Sequence, residues 1–432
     1  MYIENRFVFL FKLTALTYII ISPIFTPPAS GSLNGHELKL HHKSNITKKR
    51  EDSHPHTYTI RYLADKNSDF GYNLYRKIAS KHDNNIVFSP FSVSTAFAWL
   101  SLGANGETKT QLLRGLNLHD FDDTQTFYLL PVLFQQIMEN ITRNDDLTLS
   151  QGNSLFLQKD VEVKESFLNQ SLLYFDADVE NLDFKNNPES VNIINNYISK
   201  KTDGEITDIL KTIDPQCQMI LLNWVLFKGK WLEQFDPSST KMEVFHLNKY
   251  SRVEVPMMFK TDDVLATYDQ MLGCNILKLP YRGKASMLIV VPGEGSDFGI
   301  VEDHLSTNLV DTWLRNMKMR KMEIYIPKFK LEQLYHMSKL LQELNIKNIF
   351  AVGANLTGLS ESGTLRVSKV MHKAFTEVDE KGTKAVAATV LHIVPFSLLR
   401  VFKVDRPFLF LIYEESTRTL LFLGRVANPT KP

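Results

Sequence analysis

The side chains with the widest chemical reach in this 432-residue sequence crowd near its start. His36, His41, His42, His54 and His56 stand among Lys39, Lys43, Lys48, Lys49 and Arg50, against only Glu37, Glu51 and Asp52. Imidazoles bind metals and clustered cations bind polyanions such as heparin, so the segment suits either role. It equally suits a solvated, disordered leader, because no spacing fixes a ligand geometry. His36-Glu37 with the next histidine at position 41 misses the helical zinc-protease spacing by one residue, which removes that class. No Gly-x-Ser-x-Gly elbow, Gly-x-x-x-x-Gly-Lys loop or Gly-x-Gly-x-x-Gly fingerprint occurs elsewhere. The sequence therefore predicts no catalytic residue, no resident metal and no intrinsic cofactor. Cys217 and Cys274 are too few for a disulfide scaffold, though a single bridge between them stays open.

Such sparse local chemistry shifts attention to the elements. With 44% apolar and 11% aromatic residues the chain can bury a large core, and its net charge of +1 gives no field that argues for nucleic acid. Arg6 and the apolar run Phe7 to Ile21, broken by Lys12 and followed by Pro27, Pro28, Ala29, Ser30 and Gly31, read as a secretory signal over about residues 1–30. Sequons at Asn45, Asn140, Asn169 and Asn355 agree with glycosylation in a secreted, extracellular protein. No later segment is long and apolar enough to cross a bilayer. Residues 31–64 read as a polar, basic and histidine-rich tail, and 65–432 as one domain. Leu130, Leu133, Phe134 and Ile137 recur at helical spacing, as do Val191, Ile194 and Ile198. Met219 to Phe227, Met287 to Val291, Phe408 to Tyr413 and Leu420 to Leu423 read as buried strands. Helices early and strands late favour an α+β fold.

The most unusual stretch lies between strand-like segments that end near Glu380 and begin near Val401. Long connections within compact domains are usually functional. Thr383, Ala385, Ala387 and Thr389 would share one side of an extended chain, all small and uncharged, and Gly382 offers a hinge. Such a face can enter a sheet.

These residues resemble the hinge of the serpins: Glu380-Lys381-Gly382-Thr383 followed by Ala385-Val386-Ala387-Ala388-Thr389. Phe402 to Ile412 is similar to the family's C-terminal signature, and Asn85 to Val93, Asn195 to Ile198 and Phe227 to Trp231 agree in order. The resemblance implies three β-sheets, eight or nine helices and an exposed reactive-centre loop over about residues 380–400. It also implies a monomeric suicide inhibitor of serine proteases, whose cut loop enters the central sheet while the protease stays bound as an acyl-enzyme. The family's spacing puts the attacked bond at Phe396-Ser397, a fit to a chymotrypsin-like pocket; Arg400 lies four residues too far along. By resemblance Ser89, Ser92, Asn195 and His372 form a shutter beneath that sheet, and Trp231, Lys328 and Glu380 a breach where insertion starts. Lys384 stands where the family usually has glutamate, but strand alternation turns it outward.

Further segments, including Phe245-His246-Leu247, Val255 to Met258 and Leu309 to Lys318, resemble one branch of the family. That branch inhibits coagulation factors Xa and XIa, with protein Z, calcium and anionic phospholipid as external cofactors. Tyr250 and Asp303 match its positions for protein Z. Inhibition of chymotrypsin-like proteases without protein Z, and a non-inhibitory carrier on the same fold, are the alternatives. Heparin binding is weakly supported, because residues 126–142 contain no Lys or Arg.

Overall fold

A computed structural model of the chain describes residues 58–142, 147–363, 365–380 and 399–432. The signal segment, residues 31–57 of the polar tail with its sequon at Asn45, hinge residues 381–389 and the bond Phe396-Ser397 lie outside these residues.

Helix α1 (Ile60–Ala79) leads through β1 (Ile86–Phe88) to α2 (Pro90–Ser101) and α3 (Gly106–Gly115). Then come α4 (Leu129–Thr142), β2 (Leu147–Gln158), α5 (Glu165–Phe175), β3 (Asp178–Leu182), α6 (Asn187–Lys201) and β4 (Met219–Gly229). Strands dominate next: β5 (Lys241–His246), β6 (Arg252–Asp269), β7 (Cys274–Pro280) and β8 (Ala285–Pro292). Helices α7 (Phe298–His304) and α8 (Thr307–Asn316) precede β9 (Lys318–Pro327), β10 (Phe329–His336), α9 (Met337–Glu343) and β11 (Lys369–Val378). The last strands are β12 (Arg400–Lys403), β13 (Phe408–Glu414) and β14 (Leu420–Val426).

Local chemistry explains the boundaries. The α2 helix opens at Ser89, whose hydroxyl accepts from the Ser92 N–H, and Pro90 fills the first turn, where no N–H is needed. Thr59 caps α1 in the same way. That helix, with Leu63 and Ala64 fully buried, begins five residues before the domain edge expected at 65.

The central sheet runs β10-β11-β4-β2-β3, and the second ladder runs β1-β14-β13-β8-β7-β6-β9-β12 with β5 on β6. The 18-residue β6 pairs with β5 at its start, β9 through its middle and β7 at its end, so two of the three expected sheets are continuous through one strand. Strand alternation gives β4 two buried faces: Leu221, Val225 and Phe227 join the main core, while Ile220, Leu222 and Trp224 meet α6 in a smaller one. Cys217 and Cys274 are buried and unbridged. Burial raises both thiols, Cys274 to about 12.

Candidate functional site

The site is a seam. Strands β4 and β11 pair in parallel from Ile220 opposite Lys369 to Phe227 opposite Thr376. On either side of them the β2–β4 and β10–β11 pairings are antiparallel. A chain leaving the end of β11 and folding back between the two would run antiparallel to both. It would convert one parallel pairing, slightly weaker per residue, into two antiparallel ones.

A buried hydrogen-bond network ties the seam shut. Asn223 and His372 are register partners, and the His372 Nδ1–H donates to Asn223 Oδ1 at 2.5 Å. The other ring nitrogen, Nε2, accepts from the Ser89 N–H at 3.2 Å, which fixes the neutral tautomer. The Asn223 amide donates to Ser92 Oγ and Asn153 Oδ1, each at 2.7 Å. Complete burial depresses the His372 imidazole to about 3, so the ring stays uncharged at neutral pH.

The exit of β11 is held by a second cluster. The Trp231 indole N–H donates to the Asp379 carbonyl at 2.9 Å, and its ring stacks on Tyr281 at 4.2 Å. Glu380 accepts from Thr240 Oγ1 at 2.7 Å and pairs with Lys328 Nζ at 2.6 Å. Burial works to raise the Glu380 carboxyl, but hydrogen bonds from Lys328, Thr240 and its own backbone N–H, with the Lys328 charge, more than offset it and hold it below its ordinary value.

Ser89, Ser92 and His372 thus meet beneath the seam, and Trp231, Lys328 and Glu380 meet at its end. Asn195 does not join the first group. It sits on α6, across the opposite face of the sheet, and exchanges hydrogen bonds with the Leu210 backbone at 2.8 and 3.0 Å. Asn223 occupies the central place instead. Its signal in the sequence was one amide inside the apolar run Met219 to Phe227.

The remaining positions lie at the surface. Tyr250, at the β5–β6 hairpin tip, is 96% exposed, and Asp303 is exposed on α7. A cavity of about 460 Å³ lies between the two elements, lined by Asn248, Lys249 and Phe298. Glu302 anchors α7 through an ion pair of 2.9 Å with buried Arg425. Asn140, Asn169 and Asn355 are exposed. Arg400 opens β12 opposite Met322. Among the described residues no group of His, Cys, Asp or Glu is placed to hold a metal.

The fold and seam define a class, and sequence comparison agrees: the family model described as serpin (serine protease inhibitor) matches residues 65–429. The chain belongs to the serpin family. It is a protease inhibitor of that family and not an enzyme. Among its relatives, protein Z-dependent protease inhibitor of Homo sapiens is 47% identical over 369 residues, covering 85% of this chain and 83% of that protein. The crystal structure of the mouse protein Z-dependent protease inhibitor aligns with a TM-score of 0.81 at 44% identity, covering 86% of this chain and 98% of the other. Human thyroxine-binding globulin, solved in complex with its hormone, aligns at 0.80 with 32% identity over 87% of this chain and 100% of that one.

Proposed function

We propose that the protein is a secreted suicide substrate that traps a serine protease as an acyl complex after attack at Phe396-Ser397. The observation that carries this reading is the parallel β4–β11 seam, with the exit of β11 directed into the segment that holds the bond. Thr383, Ala385 and Ala387 suit that passage, since small uncharged side chains enter a packed interior without the cost of burying a charge, and Ala388 alternates to the other face. Ser89, Ser92 and His372, with Asn223, serve as the shutter; Trp231, Lys328 and Glu380 serve as the breach. Arg400 is a poor alternative for the attacked residue, because its place in the β12–β9 ladder keeps its backbone from lying in a protease cleft. The N-terminal signal pattern and the exposed sequons support secretion into plasma.

The target is a coagulation protease, factor Xa or factor XIa, engaged with protein Z, calcium and anionic phospholipid as external cofactors. Support comes from the similarity to protein Z-dependent protease inhibitors and from Tyr250, a large aromatic left bare on a hairpin beside α7. Exposed aromatic anchors of this kind dominate binding energy at interfaces. Phe396 fits an acidic primary pocket poorly, and tethering through protein Z would compensate by raising effective concentration. The test mixes purified protein with chymotrypsin and with factor Xa, the latter with and without protein Z, lipid and calcium. A complex that survives denaturing electrophoresis is expected with factor Xa, fastest with all cofactors present. Clean cleavage with no complex would place the protein with the carriers.

A further inference from the structure

A groove of about 710 Å³ lies where the end of α8, the start of β9, the end of β6 and the start of β12 converge. Among the described residues four cations line it, Arg315, Lys318, Arg320 and Arg400, and no carboxylate does. The turn acid beside it, Asp269, is spent inward on the Trp313 indole N–H at 2.7 Å. Among the described residues none of the four cations has an acidic partner; Arg315 donates only to the neighbouring Thr312 hydroxyl. In a chain whose net charge is +1, four unpaired cations facing one concavity make a local field that the overall composition does not require.

We infer that this groove is an exosite for an acidic patch on the attacking protease, flanking the cleft that receives the residues after the cut bond. The inference rests on the inhibitory reading above. Two observations select a protein over a polyanion chain. First, Arg400 follows Phe396 by four residues, so the groove's edge stands within roughly 14 Å of the attacked bond for any loop conformation. A protease seated on that bond extends over the groove. Second, Tyr268 and Val401 interrupt the cations and are 54% and 55% exposed. Arg beside exposed aromatic and aliphatic side chains is the composition of protein interfaces, and three guanidiniums suit two-pronged carboxylate contacts. A sulfated polysaccharide would use the charges and leave Tyr268 and Val401 without a counterpart.

The experiment compares the unaltered protein with an Arg315→Glu, Lys318→Glu, Arg320→Glu variant, leaving Arg400 and the loop intact. Association rates with chymotrypsin and with factor Xa are measured across ionic strength, together with the inhibitor-to-protease ratio and the melting temperature. We expect charge reversal to slow capture by about 10- to 100-fold at low salt with at least one protease. The ratio should not change, and the difference should shrink as salt screens the charges. An Arg315→Lys, Arg320→Lys variant should keep most of the rate. Equal rates for reversed and unaltered protein at low salt would overturn the exosite while leaving inhibition standing. Loss of retention on a sulfated-polysaccharide column with capture unchanged would assign the groove to a polyanion and also overturn it. If the unaltered protein forms no covalent complex with either protease, the inhibitory reading and the exosite fall together.

Discussion

Asn223 links groups from three other elements: Ser92 on α2, Asn153 on β2 and His372 on β11. Truncating it to alanine leaves buried donors and acceptors on each without a partner, at about 1–3 kcal/mol for every group that water cannot reach. Asn223→Ala should therefore lower the urea midpoint of the native protein with no change in helix and strand content by circular dichroism. The neighbouring imidazole gives this network a pH signature. An unfolded His372 takes up its proton near pH 6.5, whereas the folded ring does so only at about 3. The folded state thus has its full contribution from this residue above pH 6.5 and loses it progressively as pH falls toward 3. A His372→Gln variant, less stable at pH 7, should show a shallower decline of stability between pH 6.5 and 4; parallel profiles would contradict a ring held neutral by burial.

At the scale of elements, the clasp at the exit of β11 joins three segments: β10 follows Lys328, the loop before β5 holds Thr240, and Glu380 ends β11's continuation. Lys328→Met would leave the nearly buried Glu380 carboxylate without its cation. Because Lys328 is 37% exposed, solvent screens the pair, and a loss of about 1–2 kcal/mol at pH 7 is expected. Glu380 titrates below its ordinary value in the intact clasp, so that contribution is present above about pH 4.5 and disappears as pH falls through the folded value. The gap in stability between variant and unaltered protein should accordingly close in acid, as denaturation curves at pH 7 and pH 3.5 would reveal. Much of this architecture was readable from local pattern. Buried residues at helical spacing marked α4 and α6, and short apolar runs marked β4, β8, β13 and β14, because each signal lies within a dozen residues. The network was harder. Asn223 lies 70 residues from Asn153 and 149 from His372, so no window of sequence contains its partners, and the motif carrying Asn195 drew the assignment to α6 instead.

For the whole molecule, the question is why a folded chain would change its fold after one peptide bond is cut. The uncut sheet holds eight register pairs in parallel along β4 and β11. Parting them and admitting a strand between exchanges one ladder for two. The net gain is roughly one ladder of about eight hydrogen bonds, on the order of 5–10 kcal/mol at about 1 kcal/mol each. Connectivity withholds that gain while both ends of the loop are fixed, one to β11 and the other to β12. On the proposed mechanism, cutting at Phe396-Ser397 frees the segment from its β12 anchor while it stays joined to β11, and the small side chains of Thr383, Ala385 and Ala387 can then follow one another into the core. Cleaved protein should melt roughly 10–20 °C above uncut protein. Thr383→Arg sets a charge at the first inward position, where burial without a partner is strongly unfavourable. That variant should be cut by factor Xa or chymotrypsin as readily as the unaltered protein, yet release active protease and show little gain in melting temperature. A variant that still forms the covalent complex in full yield would mean that trapping here does not depend on strand insertion.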